Sequence, residues 1–154
     1  MKEQVLALLK ARHISLEALA TLLWEIQSPY IPGLTLACCQ ETLEKVLEKR
    51  EVQHHVLTGL ALDVAAEKSL LEDAINDIVA VDYPMYGVDE TIGLAIATIY
   101  GTIALTNFGY LDKEKPGYIS QLNDDKSQVN TFADDIASAL VAAGAARLAH
   151  QYQG

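Results

Sequence analysis

Apolar residues recur three and four apart along almost the whole chain, and no Asn-Gly or Asp-Gly hairpin signal interrupts them. Met1 to Ala11 sets Val5, Leu6, Leu8 and Leu9 on a short amphipathic helix. Ser15 has the acceptor side chain of an N-cap, and a second helix is predicted from it to about Gln27, with Leu16, Leu19, Leu22, Leu23 and Ile26 inward. Pro29, Pro32 and Gly33 cannot continue that helix. Thr35 can cap a third, with Leu36, Leu43, Val46 and Leu47 facing the core, and the charged stretch Glu44 to Glu51 reads as a solvated face or a short break. A fourth helix is predicted to run to about Val79, carrying His54, His55, Asp63 and Glu67. After a loop over Val81 to Gly87, the most apolar segment, Val88 to Asn107, predicts a central helix. Gly109 to Gln128 contains Pro116, Gly117 and several Asp and predicts a long, partly irregular connection. Thr131 can then cap a last helix rich in Ala and Gly. The pattern as a whole predicts an all-α fold.

Composition narrows the picture. A chain of 154 residues, 51% of them hydrophobic, suits a single domain over 1–154 with one core. Lys and Arg number 11 against 21 Asp and Glu, a formal charge of −10, which argues against broad binding to nucleic acid or to an anionic membrane surface. The adjacent Cys38 and Cys39 do not suit disulfide geometry and read as small core side chains in a reducing compartment. The first residues carry charges within their apolar run and lack the pattern of a signal peptide. Thr91 to Leu111 is uncharged and long enough for a membrane span, but its glycines, threonines and Asn107 favour a buried helix. A cytoplasmic protein is expected, at most peripheral at a membrane. The Ala/Gly faces of the last two helices suggest close packing and a homo-oligomer.

Three places set carboxylates beside apolar sequence. Asp63 and Glu67, four apart, share one helix face and can reach one ion. Asp89 and Glu90 open the apolar Val88 to Asn107 segment, and Asp134 and Asp135 open the last helix. An ionised carboxylate buried without a partner is costly, and several together repel; a hard cation such as Mg²⁺ or Mn²⁺ answers both problems. Each pair also has a plainer explanation. Acids at a helix start are favoured by the helix dipole, and Asp63 with Glu67 fits a solvent face equally well. His54 and His55 are a weaker signal, and no Ser/His/Asp arrangement, phosphate-binding glycine loop or dinucleotide fingerprint is present.

The run Gly87-Val-Asp89-Glu90-Thr-Ile-Gly93 resembles an element of the phosphatidylglycerophosphatase A family. So do Phe108-Gly-Tyr-Leu-Asp112-Lys-Glu-Lys115-Pro116-Gly-Tyr-Ile119 and Phe132-Ala-Asp134-Asp135-Ile-Ala-Ser-Ala, in the family's order, over about residues 85 to 150. Ser28 to Gly33 is a weaker echo of a further element. The likeness is to a branch of the family without membrane spans. It implies about six helices with one central helix surrounded by the others, and Mg²⁺-dependent removal of the terminal phosphate of phosphatidylglycerophosphate to give phosphatidylglycerol. Carried onto this chain, Asp89, Glu90, Asp134 and Asp135 are implied as catalytic groups or metal ligands, with Asp63 and Glu67 as further ligand candidates from their shared face. Asp112, Lys113 and Lys115 are implied on the substrate side, which would be a phosphate-bearing small molecule or lipid head group. Where the family has an Arg between Phe and the next hydrophobic residue, this chain has Gly109, so one obvious phosphate clamp is missing. Two other classes stay open: an acidic helical oligomer that binds a cation or partner without catalysis, and an all-α nucleotide pyrophosphohydrolase, for which Glu41 and Glu44 have E-x-x-E spacing.

Overall fold

The computed structural model describes residues 1–152. These form α1 (Lys2–Ala11), α2 (Leu16–Gln27), α3 (Leu36–Val46), α4 (Arg50–Glu67), α5 (Asp73–Val79), α6 (Val88–Thr98), α7 (Thr102–Glu114), α8 (Tyr118–Asp124) and α9 (Ala133–Tyr152). Nine helices among the described residues replace the six expected. Ser15 caps α2 by accepting from the Ala18 N–H at 3.1 Å, and Thr35 caps α3 through Cys38 N–H at 3.1 Å. The expected fourth helix stops at Glu67: the Leu70 N–H donates to Ala65 O and the Ser69 N–H to Ala66 O, with Ser69 left-handed at φ 53°. That is the paired-bond ending usually given to glycine. Pro116 and Gly117 separate α7 from α8, so the stretch expected to be a long, partly irregular connection is largely helical, with breaks at 115–117 and 125–128.

The central helix is also not the one expected. Val88 to Asn107 divides at Gly101, whose φ of +91° is readily open only to glycine, and α6 and α7 form two sides of a corner. No helix among the described residues is long and apolar enough to cross a membrane. The hub is α9. Every residue from Ala133 to Ala146 is buried, and α2, α3, α4, α6, α7 and α8 all pack on it. Its small side chains are therefore used within the chain, where they let neighbouring helices approach closely. The approach has tight points. A Cβ at Gly93 of α6 would lie 2.5 Å from the Phe108 ring and 3.3 Å from Asp135 O. A Cβ at Gly59 of α4 would lie 2.6 Å from Ile136 Cδ1. Cys39 is in the core, where burial pushes its thiol up to about 11, and Cys38 is half-buried; both are free.

The start of α9 is held by side chains from far away in sequence. Asp63 of α4, fully buried, accepts from the Phe132 N–H at 3.0 and 3.1 Å and from the Ala133 N–H at 3.0 Å. It thus does the capping expected of Thr131, whose hydroxyl instead donates to Val79 O. One turn along α4, Glu67 takes both arms of the Arg12 guanidinium at 2.6 and 3.0 Å and accepts from the Val129 N–H at 2.7 Å. The i, i+4 face of Asp63 and Glu67 is real, but it meets backbone amides and Arg12.

Three substitutions test this packing. Gly93→Ala is expected to lower unfolding free energy by about 1–2 kcal/mol, overpacking exceeding the gain in helix propensity. Gly109→Ala, with nothing within 4 Å of the new Cβ, should be neutral or stabilising. Asp63→Ala leaves two buried N–H groups unpaired and should cost roughly 2–4 kcal/mol. Urea denaturation followed by circular dichroism measures all three.

Candidate acidic active site

Gly87, left-handed at φ 80°, turns the chain into α6 so that Asp89 and Glu90 occupy its first turn. Asp134 and Asp135 occupy the first turn of α9, and Asp112 lies near the end of α7. Because α6 and α7 both pack on α9, the three places converge. They line a half-open cavity of about 180 Å³ with Lys115, Asn123 and the loop residues Asp82, Tyr83, Pro84, Met85 and Tyr86. The cavity therefore gathers six carboxylates, Asp82, Asp89, Glu90, Asp112, Asp134 and Asp135, around one ammonium group. Tyr86 stands edge-on to the Phe132 ring, 6.0 Å between centroids, which ties the loop to the start of α9.

Lys115 ends α7 in a left-handed conformation, φ 45°, and that turn carries its side chain back into the cavity. Its Nζ lies 3.2 Å from Asp112 Oδ1 and 3.3 Å from Asp134 Oδ2. Burial works against its charge, but Asp134 and Asp112 outweigh that and hold the ammonium above its ordinary value.

A single cation does not balance the carboxylates. Burial raises Asp135 well above the usual carboxylate range, and the charge of Asp134 and hydrogen bonding with Asp112 and Asp89 add to the rise. Burial also raises Asp134, against the pull of Lys115. Glu90 is raised by burial and then by Asp89 and Asp112. Asp82 is raised by burial and then by Asp89. Asp89 is nine-tenths buried, and its Oδ1 has no hydrogen-bond partner. An all-oxygen donor set with a buried unpaired oxygen and mutually repelling acids has the chemistry of a hard divalent cation site. Among the described residues, no three such groups are already drawn close enough to enclose an ion.

The sequence candidates separate cleanly. Asp89, Glu90, Asp112, Lys115, Asp134 and Asp135 share the cavity. Lys113 is exposed and does not line it, and Asp63 and Glu67 lie outside it in the caps described above. Gly109 is exposed, with open space beside it. His54 is exposed, the half-buried His55 places Nδ1 2.6 Å from Glu51 O, and Glu41 and Glu44 lie exposed on α3, away from the cavity. Asp82, Asn123 and Tyr86 were not foreseen. A lone Asp in a proline-containing loop has no spacing signal; the only hint was its place seven residues before Asp89.

YpjQ of Bacillus subtilis is 49% identical over 146 residues, covering 95% of this chain and 82% of YpjQ. YutG of the same organism is 42% identical over 152 residues, covering 98% and 92%. The crystal structure of the low temperature requirement C protein from Listeria monocytogenes superposes with a TM-score of 0.94 at 45% identity, over 99% of this chain and 97% of that one. The crystal structure of YpjQ gives 0.93 at 47% identity, over 99% and 94%. The sequence model of phosphatidylglycerophosphatase A matches residues 18–150, a span that includes every cavity residue, and the chain belongs to the phosphatidylglycerophosphatase A family.

Proposed function

We propose that the chain is a metal-dependent phosphatase that hydrolyses a phosphate monoester, with phosphatidylglycerophosphate, giving phosphatidylglycerol, as the favoured substrate. The observation that carries this reading is the convergence of the three family segments on one cavity where Asp89 Oδ1 is buried without a partner. Asp89, Asp134 and Asp135, with Glu90 and Asp112 beside them, would hold Mg²⁺ or Mn²⁺. Such an ion, when bound, neutralises phosphate oxygens and makes water more acidic.

The protein's own groups supply the rest. Lys115, anchored between Asp112 and Asp134, presents the cavity's ammonium to the phosphate and stands in for the clamp lost at Gly109. A cavity carboxylate accepts the proton of the attacking water. As the new P–O bond forms, the ester P–O bond breaks and the departing alkoxide takes a proton back. The rigid placement of Asp134 and Asp135 on the buried α9 start fixes these groups before substrate arrives.

The activity test is phosphate release from phosphatidylglycerophosphate in detergent micelles with Mg²⁺. Asp89→Asn and Asp135→Asn should each lower kcat by at least about 100-fold while the helical spectrum persists. No release from this or any other phosphate monoester would overturn the proposal.

A second prediction concerns pH. Asp63, Asp134 and Asp135 hold protons more tightly in the folded chain than in the unfolded one, where an aspartate titrates near about 3.9. Each contributes its full stabilisation below that value and loses it as pH rises through the folded value, about 8 for Asp63. In EDTA the melting temperature should therefore fall between about pH 5 and about pH 8. Mg²⁺ or Mn²⁺ should offset the part of that fall due to the cavity acids, because it binds the folded state. Scanning calorimetry with and without metal reads both effects.

A further inference from the structure

The loop between α5 and α6 is exposed at Val81, Asp82, Tyr83 and Met85, and within it Asp82 lines the rim of the acidic cavity. Asp82 lies outside the three family-like segments quoted above. The way α5 ends accounts for its position. The Tyr83 N–H donates to Ile78 O at 3.0 Å and the Asp82 N–H to Val79 O at 3.3 Å, with Asp82 left-handed at φ 51°. Glycine is the unstrained residue at that point of such a turn. The same ending closes α1 at His13, φ 59°, and α4 at Ser69, φ 53°, so the turn by itself marks no site. Asp82 differs from those two in lining the cavity with Asp89, Glu90 and Asp134, whose charges act on it or feel its own.

Lys126 and Lys115 attract Asp82 but form no close ion pair with it. Lys115 is shared by Asp112 and Asp134, and the Lys126 ammonium donates to Asn123 O at 3.2 Å. Asp89, nine-tenths buried, keeps Oδ1 unpaired on the same cavity. An acid held in a conformation better suited to glycine, and sharing a cavity wall with other acids, costs stability twice over. A divalent cation drawn to that wall converts the second cost into attraction.

We propose that Asp82 is a further ligand for the divalent cation of this cavity, supplied by the α5–α6 loop. The inference rests on the metal-dependent reading above. Titration calorimetry with Mn²⁺ tests it on the full chain, using Asp82→Gly, Asp82→Asn and, as a control, His13→Gly. Asp82→Gly should raise the melting temperature of the metal-free protein, by relieving the left-handed strain and the repulsion, and weaken Mn²⁺ binding at least about tenfold. Asp82→Asn, which keeps shape and tolerates the same φ, should weaken Mn²⁺ comparably. His13→Gly should also raise the melting temperature but leave Mn²⁺ affinity unchanged. Wild-type affinity in both Asp82 variants overturns the inference and leaves the proposed function standing. A wild-type chain that binds no Mn²⁺ overturns both.

Discussion

The carboxylate of Asp63 on the first amides of α9 is the interaction on which the site depends. The first turn of a buried helix exposes N–H groups that water cannot reach, and here α4 supplies the acceptor. That contact fixes where α9 begins, and hence where Asp134 and Asp135 point. Glu67 repeats the arrangement one turn away by holding Val129 N–H and Arg12, which brings α1 into the same frame. Two acids that line no part of the cavity thus position two acids that do.

The site and the core make opposite demands at the same end of α9. Packing asks for small apolar residues, and from Ile136 to Ala146 the helix supplies little else. At its start, Asp134 and Asp135 are buried beside four other cavity acids with Lys115 as their one lining cation. The helix dipole favours negative charge there, but only by about 0.3–1 kcal/mol, too little to offset burial of several carboxylates. Consistency between levels is broken at the start of α9, and it is the place where chemistry is proposed.

Much of this could be read from the sequence where the cause was local. Ser15 and Thr35 announce their helices because a cap acts within three residues, and the acid pairs at 89–90 and 134–135 announce helix starts for the same reason. Tertiary causes stayed hidden. The face shared by Asp63 and Glu67 showed in the spacing, but the amides and guanidinium it meets come from segments 55 to 70 residues away. Ser69 ends α4 in a turn that glycine usually forms, so no breaker marked it, and the apolarity of Val88 to Asn107 obscured the corner at Gly101. The hub was misassigned because mean apolarity ranks long aliphatic side chains above alanine, whereas the helix that six others surround is better served by small ones.

The hub follows the eight other described helices in chain order, and this has a consequence for how the molecule comes into being. While α1 to α8 leave the ribosome they can meet in pairs, such as α2 with α3 and α1 with α4, but the surface that six of them share is α9. Collapse onto a common core and assembly of the acidic cavity must therefore coincide with the arrival of one helix. Incomplete chains that leave apolar surface uncovered in this way belong to the generally aggregation-prone class. The same topology leaves no partly made chain with a finished cavity, because two of its six carboxylates, Asp134 and Asp135, arrive only with the start of α9.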